Sequence, residues 1–350
     1  MDLLAVTPSL GPGPEERMCL ELERNDLALV LRCVNRSIYW TLGSILVGYV
    51  HDPSVVYDGQ VTYYRFTTNN EITIATAPSI AGPWTNQGAA LPGGSSIDKP
   101  GRYDLWAPDV FLHDGTYYMY YSVSTIGSQN SDIGVATSRS MAVGTWTDHG
   151  SIGIPRDDSR WNRIDPNLFQ HDANSPFYLS FGSFWENIWQ VPMTNPPLSV
   201  AGNAVHLEQN PSNPAAEGSY PFWYPFEGTD YYYLFFSKGI CCNTPSSPGG
   251  LPSENDAYKI MVCRSTSPTG GFVDQNGVDC LQGGGTLVCG SDASNDVYAP
   301  GGQGVFYDPG QNSVVMYYHY VKPSVGYDYD QFQFGWNKLD FSSGWPVVVY

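Results

Sequence analysis

One structural plan occurs five times along this chain of 350 residues. Each copy has a small or acidic residue at a turn, an apolar strand, a tight turn containing Asp or Gly, and an aromatic strand. A second hairpin pattern follows each copy, such as ITIATAPSIAGPWTNQG after the first. Repetition at near-regular spacing predicts that one supersecondary unit is built five times. The copies begin at Asp52, Ala107, Asp165, Glu217 and Ala299.

Two hairpins per unit make a four-stranded antiparallel sheet, and five such sheets around an axis make an all-β, five-bladed β-propeller. Asp-Gly turns between alternating aromatic residues favour hairpins over helices. No stretch has a sustained apolar period of 3.6 residues, so we expect almost no helix. A two-sheet sandwich or a barrel also has many short strands, but five paired units at near-regular spacing favour the propeller.

The charge and the aromatic content of the chain indicate which classes of molecule it can bind. The chain has 16 basic and 34 acidic residues, a net charge of 16 − 34 = −18, so nucleic acid and anionic membranes should be repelled. Neutral sugars are compatible with this charge. The 25 Tyr, 15 Phe and 10 Trp residues include rings that can stack on sugars, although most of them should fill the core.

The seven cysteines have no CxxC spacing and no nearby histidine cluster, which argues against a zinc site. Five of them lie between residues 241 and 289, which predicts one or two local disulfides and an oxidising compartment. Cys241 and Cys242 pair either with each other, at the rim of a cleft, or with later cysteines, and geometry decides between these. The seven are Cys19, Cys33, Cys241, Cys242, Cys263, Cys280 and Cys289.

Residues 1–47 are expected to form an N-terminal extension of uncertain structure, ahead of a propeller over residues 48–350. The apolar run SIYWTLGSILVGYV, residues 37–50, is too short to span a bilayer but has the length of a signal-peptide core. We expect it to supply a buried strand at the start of the fold, with a signal remnant as the alternative.

Three of the five repeats begin with an acid: Asp52, Asp165 and Glu217. The innermost strands of a propeller start near its axis on one face, so these side chains should converge. Glycosidic cleavage needs one acid to protonate the leaving oxygen and a second carboxylate to activate water or to attack directly. An Asp-Pro pair alone usually starts a turn, but equivalent positions in separate repeats indicate a shared site.

These motifs, together with their neighbours, resemble glycoside hydrolase family 43, and within it the fungal endo-1,5-α-L-arabinanases. The resemblance covers about residues 48–350 in order, whereas residues 1–47 resemble no family that we know. The stretches that carry it are His51-Asp52-Pro53, SIDKPGRYDLWAPDV, YSVSTIGSQNSDIGVATS, Ile164-Asp165-Pro166-Asn167, YLSFGSFWENIWQVPM, Glu217-Gly218-Ser219-Tyr220, KGICC, VCRSTSPTGGFVD, APGGQGV and FGWNKLDFSSGWPVV.

The resemblance implies a role for each acid. Asp52 would be the general base that activates water, and Glu217 the general acid. Asp165 would orient Glu217 and raise its pKa. The family inverts the anomeric configuration, so the carboxyl groups of Asp52 and Glu217 should lie roughly 6.5–9.5 Å apart to admit a water.

Other positions are predicted to bind the substrate or a metal. Trp106 should stack on an arabinose ring, with a core indole as the alternative. His51, Asn167 and Ser183 are candidates for contacts with sugar hydroxyls, and each has a structural role as its alternative. His319 is similar to a family histidine that faces a central metal, usually calcium, although calcium prefers oxygen ligands.

We therefore expect an inverting endo-hydrolase of linear α-1,5-arabinan, secreted to the cell exterior and monomeric. One alternative is an exo-acting α-L-arabinofuranosidase or β-xylosidase. Those enzymes often have an added β-sandwich domain, and the sequence ends at Tyr350 soon after the fifth repeat. The other alternative is a sugar-binding propeller without activity, which would need no set of three acids.

Overall fold

The computed structural model describes residues 21–24, 27–30, 49–212 and 215–349. The chain divides into two compact units, residues 1–46 and 47–350. In the first unit, strands β1 (Glu21–Arg24) and β2 (Leu27–Val30) pair antiparallel. The domain boundary at residue 47 stays a prediction. The strand predicted for residues 37–50 lies outside the described residues except for Tyr49 and Val50, which are not in a strand.

In the described part of residues 47–350, twenty strands form five four-stranded antiparallel sheets. Each sheet takes its strands consecutively from the sequence, as the repeat predicts. Blade by blade they are β3 (Ser54–Tyr57), β4 (Tyr63–Thr67), β5 (Thr73–Ala77), β6 (Thr85–Ala89); β7 (Trp106–His113), β8 (Thr116–Val123), β9 (Asp132–Ser138), β10 (Thr147–Ser151); β11 (Asn167–Phe169), β12 (Phe177–Phe181), β13 (Ile188–Met193), β14 (Val205–Glu208); β15 (Ala216–Phe226), β16 (Thr229–Lys238), β17 (Lys259–Ser265), β18 (Thr286–Cys289); and β19 (Tyr298–Asp308), β20 (Ser313–Val321), β21 (Gln333–Asp340), β22 (Val347–Val349).

The first strands of the blades form a closed ring. Strand β3 contacts β7, β7 contacts β11, β11 contacts β15, β15 contacts β19, and β19 returns to β3. The predicted five-bladed β-propeller is confirmed. Among the described residues, the helices are three short 3₁₀ segments: Cys280–Gln282, Ala293–Asn295 and Tyr329–Gln331. None of the helices in this part of the chain is long and apolar enough to cross a bilayer.

Aromatic side chains fill the space between neighbouring blades. Strand β8 is buried along seven of its eight residues, because sheets cover both of its faces. This explains why its sequence, TYYMYYSV, contains four tyrosines and does not alternate between apolar and polar residues. Each large buried side chain contributes about 1.5–3 kcal/mol to stability.

The entries to the first strands of the first three blades are held by residues at the end of the second strand of the preceding blade. The backbone N–H of Ala107 donates to Oγ1 of Thr68, and that of Asp165 donates to Oγ of Ser122. The N–H of Asp52 follows the same rule at the closure of the ring, where the acceptor is a histidine, Nδ1 of His319, at 3.1 Å. These contacts fix the residues that begin the repeats at one end of the axis.

Candidate active site

Asp52 lies two residues before β3, and its side chain is 22% exposed. Its Oδ2 accepts hydrogen bonds from Nδ1 of His51 at 2.7 Å and from Oγ1 of Thr68 at 2.9 Å. Burial alone would raise the pKa of Asp52, but His51, His319 and the Thr68 hydroxyl together lower it below its usual value. Asp52 is therefore a carboxylate at neutral pH, which is the state that a general base requires.

Glu217 lies in β15 and accepts two hydrogen bonds. Oγ of Ser183 donates to Oε2 at 2.6 Å, and the Tyr258 hydroxyl donates to Oε1 at 2.9 Å. Burial raises the pKa of Glu217, the two hydrogen bonds oppose this, and the charge of Asp52 raises it further. The net pKa is above the usual value, which favours the protonated acid.

Asp165 lies beside Glu217, because its Oδ2 accepts a hydrogen bond from the backbone N–H of Gly218 at 3.2 Å. Burial raises the pKa of Asp165 well above its usual value, and the negative charges of Glu217 and Asp52 raise it further. The interaction between two like charges is mutual, so Asp165 and Glu217 each disfavour ionisation of the other. The pair holds a proton more tightly than either acid would hold it alone.

The structure brings the three predicted acids together and shifts their pKa values in different directions. One acid, Asp52, has a lowered pKa, while Asp165 and Glu217 have raised values. All three side chains keep partial solvent access. Two groups whose surroundings move their pKa values in opposite directions are suited to simultaneous base and acid catalysis. The predicted separation of the Asp52 and Glu217 carboxyl groups stays a prediction.

A cavity of about 40 Å³ adjoins the acids on the propeller axis, with room for about three water molecules. It is lined by residues from the starts of all five first strands, including Asp52, Asp165, Asp109 and Gln303. Burial raises the pKa of Asp109 to about 7, although Nδ2 of Asn167 and the backbone N–H of Leu168 donate to its carboxyl group.

The substrate-binding residues predicted from the sequence lie in different surroundings. Trp106 is partly exposed, and its Nε1 donates to Oδ2 of Asp104 at 3.3 Å. Asn167 is buried and bonded to Asp109, and Ser183 is buried and bonded to Glu217. Sugar contacts by these residues and by His51 stay predictions.

The imidazole of His319 does not fit direct ligation of calcium. Its Nδ1 accepts the N–H of Asp52, and burial lowers its pKa to about 3, so the neutral ring carries its proton on Nε2. That Nε2–H is buried without a hydrogen-bond partner among the described residues and has no lone pair for a metal. With His51 and Asp52, His319 offers two nitrogens and one carboxylate, whereas calcium takes six to eight oxygen ligands.

Two disulfides connect cysteines of the fourth blade. Cys241 bonds to its neighbour Cys242, and Cys263 bonds to Cys280. Cys289 is buried and forms no disulfide. The predicted local disulfides are therefore present, and the pairing that the sequence left open is the vicinal one. Cys19 and Cys33 lie outside the described residues.

Residues that contact the acids were missed from the sequence. Thr68 bonds Asp52 and Tyr258 bonds Glu217. Thr68 had a usable signal, because the aromatic run of four second strands is followed by a polar residue at an equivalent position: Thr68, Ser122, Ser237 and His319. Tyr258 had none: it lies 41 residues after Glu217, and the pairing of β15 with β16 and of β16 with β17 brings it back.

Comparison with known proteins agrees with this geometry. The sequence profile of "Glycosyl hydrolases family 43" matches residues 43–346. The chain is 54% identical over 304 residues to a protein of Emericella nidulans named "Probable arabinan endo-1,5-alpha-L-arabinosidase A", covering 85% of this chain and 90% of that protein.

Two solved structures are also similar. One is an exo-1,5-alpha-L-arabinanase from a bovine ruminal metagenomic library, with a TM-score of 0.74 and 27% identity over 87% of this chain and 98% of that chain. The other is the Cellvibrio cellulosa alpha-L-arabinanase complexed with arabinohexaose, with a TM-score of 0.72 and 25% identity over 86% of this chain and 95% of that chain.

Proposed function

The chain belongs to glycosyl hydrolase family 43, and on this premise we propose that it hydrolyses internal α-1,5-arabinofuranosidic linkages of arabinan with inversion. The observation that carries the proposal is the convergence of an ionised Asp52 with Asp165 and Glu217, whose pKa values are raised. The endo assignment is supported by the relative from Emericella nidulans, which is named for endo cleavage and shares 54% identity.

Each acid has one task in the proposed reaction. Asp52 takes a proton from a water molecule while the water oxygen attacks the anomeric carbon. Glu217 gives its proton to the glycosidic oxygen, which leaves with the other half of the chain. Asp165 keeps Glu217 protonated until that moment, and Ser183 and Tyr258 orient its carboxyl group. One displacement by water inverts the configuration.

Exposed aromatic rings that lie close in the sequence to Ser183 or to Trp106 support a polysaccharide substrate. Phe184 and Trp185 follow Ser183 directly and are 41% and 38% exposed. Tyr103, near Trp106 in the sequence, is 60% exposed. Rings that remain in water beside a catalytic centre are suited to stacking on the C–H faces of sugars.

An exo-acting arabinanase is the second candidate, because a structurally similar enzyme at 27% identity is named for exo cleavage. An exo enzyme releases product from one chain end, whereas an endo enzyme shortens chains throughout. The two differ in the first products formed, which the experiment below measures.

We also infer that the protein acts outside the cell. The two disulfides support this, since such bonds persist in oxidising compartments. A monomeric state stays a prediction, and gel filtration with light scattering tests it.

Calcium stays a prediction, with any ion held through water and not by His319. A bound cation would supply positive charge to the acidic centre. Its test is thermal unfolding: calcium added after treatment with ethylenediaminetetraacetate should raise the melting temperature above that with magnesium. Equal melting temperatures would argue against a calcium site.

The experiment for the proposed function digests linear, debranched arabinan and follows the product sizes by chromatography. Wild type should give a ladder of oligosaccharides, and Glu217→Gln should give none. Glu208→Gln is the matched control, because it makes the same substitution at a buried glutamate in a different blade and should keep the ladder. Arabinose or a single short product from the start would favour the exo enzyme. No product from folded wild type would contradict hydrolysis of arabinan.

A further inference from the structure

The vicinal disulfide lies directly against the proposed general base. Sγ of Cys242 is 3.2 Å from Nε2 of His51, and Sγ of Cys241 is 3.6 Å from the same nitrogen. The opposite nitrogen of that ring, Nδ1, bonds Asp52 at 2.7 Å. The His51 ring is therefore held between the two sulfur atoms and the Asp52 carboxylate.

The same disulfide also reaches the surroundings of the proposed general acid. Cys241 packs against a small cluster that contains Ala257 and Tyr258. Backbone bonds fix this contact: the N–H of Ile240 donates to the Asp256 carbonyl, and the N–H of Tyr258 donates to the Ile240 carbonyl. The Tyr258 hydroxyl in turn donates a hydrogen bond to Glu217. Tyr258 therefore connects the segment that carries the disulfide to the proposed general acid.

A third ring completes the arrangement. His319 stacks on His51 at 4.1 Å between centroids and on Tyr258 at 5.8 Å. His51, which contacts Asp52, and Tyr258, which contacts Glu217, thus belong to one aromatic stack. The disulfide contacts this stack at His51 and at Tyr258.

We propose that the Cys241–Cys242 disulfide is a positioning group for catalysis, which holds His51 against Asp52 and Tyr258 against Glu217. The inference rests on the proposed function and adds to it a requirement for an intact S–S bond. Two adjacent cysteines joined through sulfur cannot change their side-chain rotamers independently. When the bond breaks, the sulfur atoms separate and each side chain regains its rotamers, so His51 loses a fixed support.

Reduction can be made selective because the two disulfides differ in exposure. Cys241 and Cys242 are partly exposed, whereas Cys263 and Cys280 are completely buried. With dithiothreitol, the Cys241–Cys242 bond breaks, and each sulfur takes up one electron and one proton. Both come from the two thiols of the reagent, which closes into a cyclic disulfide.

The kinetic test measures kcat and KM on linear arabinan before reduction, after mild reduction and after reoxidation. Alkylation and mass spectrometry identify which cysteines were reduced. Because small misplacements of reacting groups have large effects on rate, kcat should fall by about 10-fold or more, with KM changed less than about 2-fold. Reoxidation should restore kcat. An unchanged kcat, or a change in KM without a fall in kcat, would overturn the proposal.

A matched variant controls for other effects of the reagent. Cys241→Ser/Cys242→Ser should have the low kcat of the reduced enzyme and should not respond to dithiothreitol. Adding His51→Ala to this variant should lower kcat by less than His51→Ala lowers it in wild type, since the residues act as one unit. Independent, additive losses would contradict the coupling.

A second readout does not depend on hydrolysis. Histidine-selective NMR should show the ring signals of His51 and His319 shifting on reduction, while the signal of exposed His149 stays in place. If the His51 signal does not move, the disulfide does not position this ring, whatever the substrate. A wild type that cleaves no arabinan would overturn the proposed function alone, because the NMR result would still decide whether the disulfide holds His51.

Discussion

At the scale of single residues, the three acids differ in their hydrogen-bond partners more than in their burial. Asp52 accepts from an imidazole and a hydroxyl, which stabilise its negative charge. Asp165 accepts one backbone N–H and faces the charges of two other acids. The opposite pKa shifts of Asp52 and Asp165 therefore follow from what each carboxyl group contacts.

The first prediction concerns Asp165→Asn. Asp165 and Glu217 disfavour each other's ionisation, so a neutral amide at position 165 removes this competition, and Glu217 should lose its proton at a lower pH than the pair loses its last one. The alkaline limb of kcat/KM against pH should then move to lower pH, and kcat should also fall because Glu217 loses an orienting neighbour.

Ser183→Ala gives the contrast in the opposite direction. Its hydroxyl bond lowers the pKa of Glu217, so its removal should raise this pKa and move the alkaline limb to higher pH. Measured pH profiles that move in the same direction for both variants would contradict the assignment of Glu217 as the acid.

At the scale of single strands, β14 has an unusual terminal residue. Glu208 ends this outermost strand of the third blade, yet it is completely buried, and neither carboxyl oxygen has a hydrogen-bond partner among the described residues. Burial raises its pKa to about 8, with Lys238 opposing the shift. The native protein therefore holds this proton more tightly than the unfolded chain does.

The second prediction follows from the sign of that shift. Stability from the neutral carboxyl group is fully present below pH 4.5, the ordinary value, and is lost as pH rises towards about 8. At 1.36 kcal/mol per pKa unit, the loss approaches about 3–5 kcal/mol. In urea titrations across pH, Glu208→Gln should flatten this decline, whereas exposed Glu254→Gln should leave it unchanged. An identical decline in both variants would rule out Glu208 as its source.

At the scale of the whole molecule, the ring must be closed between the last blade and the first. The Tyr63 hydroxyl in β4 donates to Oδ1 of Asp308 in β19 at 2.5 Å, and both residues are buried. The same carboxylate oxygen also accepts the N–H of Gly310. This bond joins strands that are 245 residues apart in the sequence.

The third prediction is that Tyr63→Phe weakens the closure. The variant leaves a buried carboxylate with one partner fewer, which should lower the free energy of unfolding by about 1–3 kcal/mol. Tyr64→Phe, at the next position of the same strand, removes a hydroxyl that does not bond Asp308 and is the control. Equal losses in the two variants, measured by urea unfolding, would contradict a role for the Tyr63–Asp308 bond.

The repeat was sufficient to predict the architecture, because each blade is built from consecutive strands and local pairing decides it. It also placed Asp52, Asp165 and Glu217 together, since they begin equivalent strands. Contacts made by loops, and contacts between the last blade and the first, were harder to predict from the repeat. Tyr258 and the Cys241–Cys242 bond follow irregular loops of the fourth blade, where no repeat applies. His319 differs from the hydroxyl residues at its equivalent positions, and its bond to the Asp52 N–H required the closed ring.

The central claim is that Asp52 activates a water which displaces the sugar bond in one step, with Glu217 as the acid. Proton NMR during the first minutes of digestion of a short α-1,5-arabino-oligosaccharide tests it most directly. The new reducing end should appear first as the β anomer and only later equilibrate. An α anomer formed first would mean that a carboxylate attacks the sugar itself, and would contradict the account.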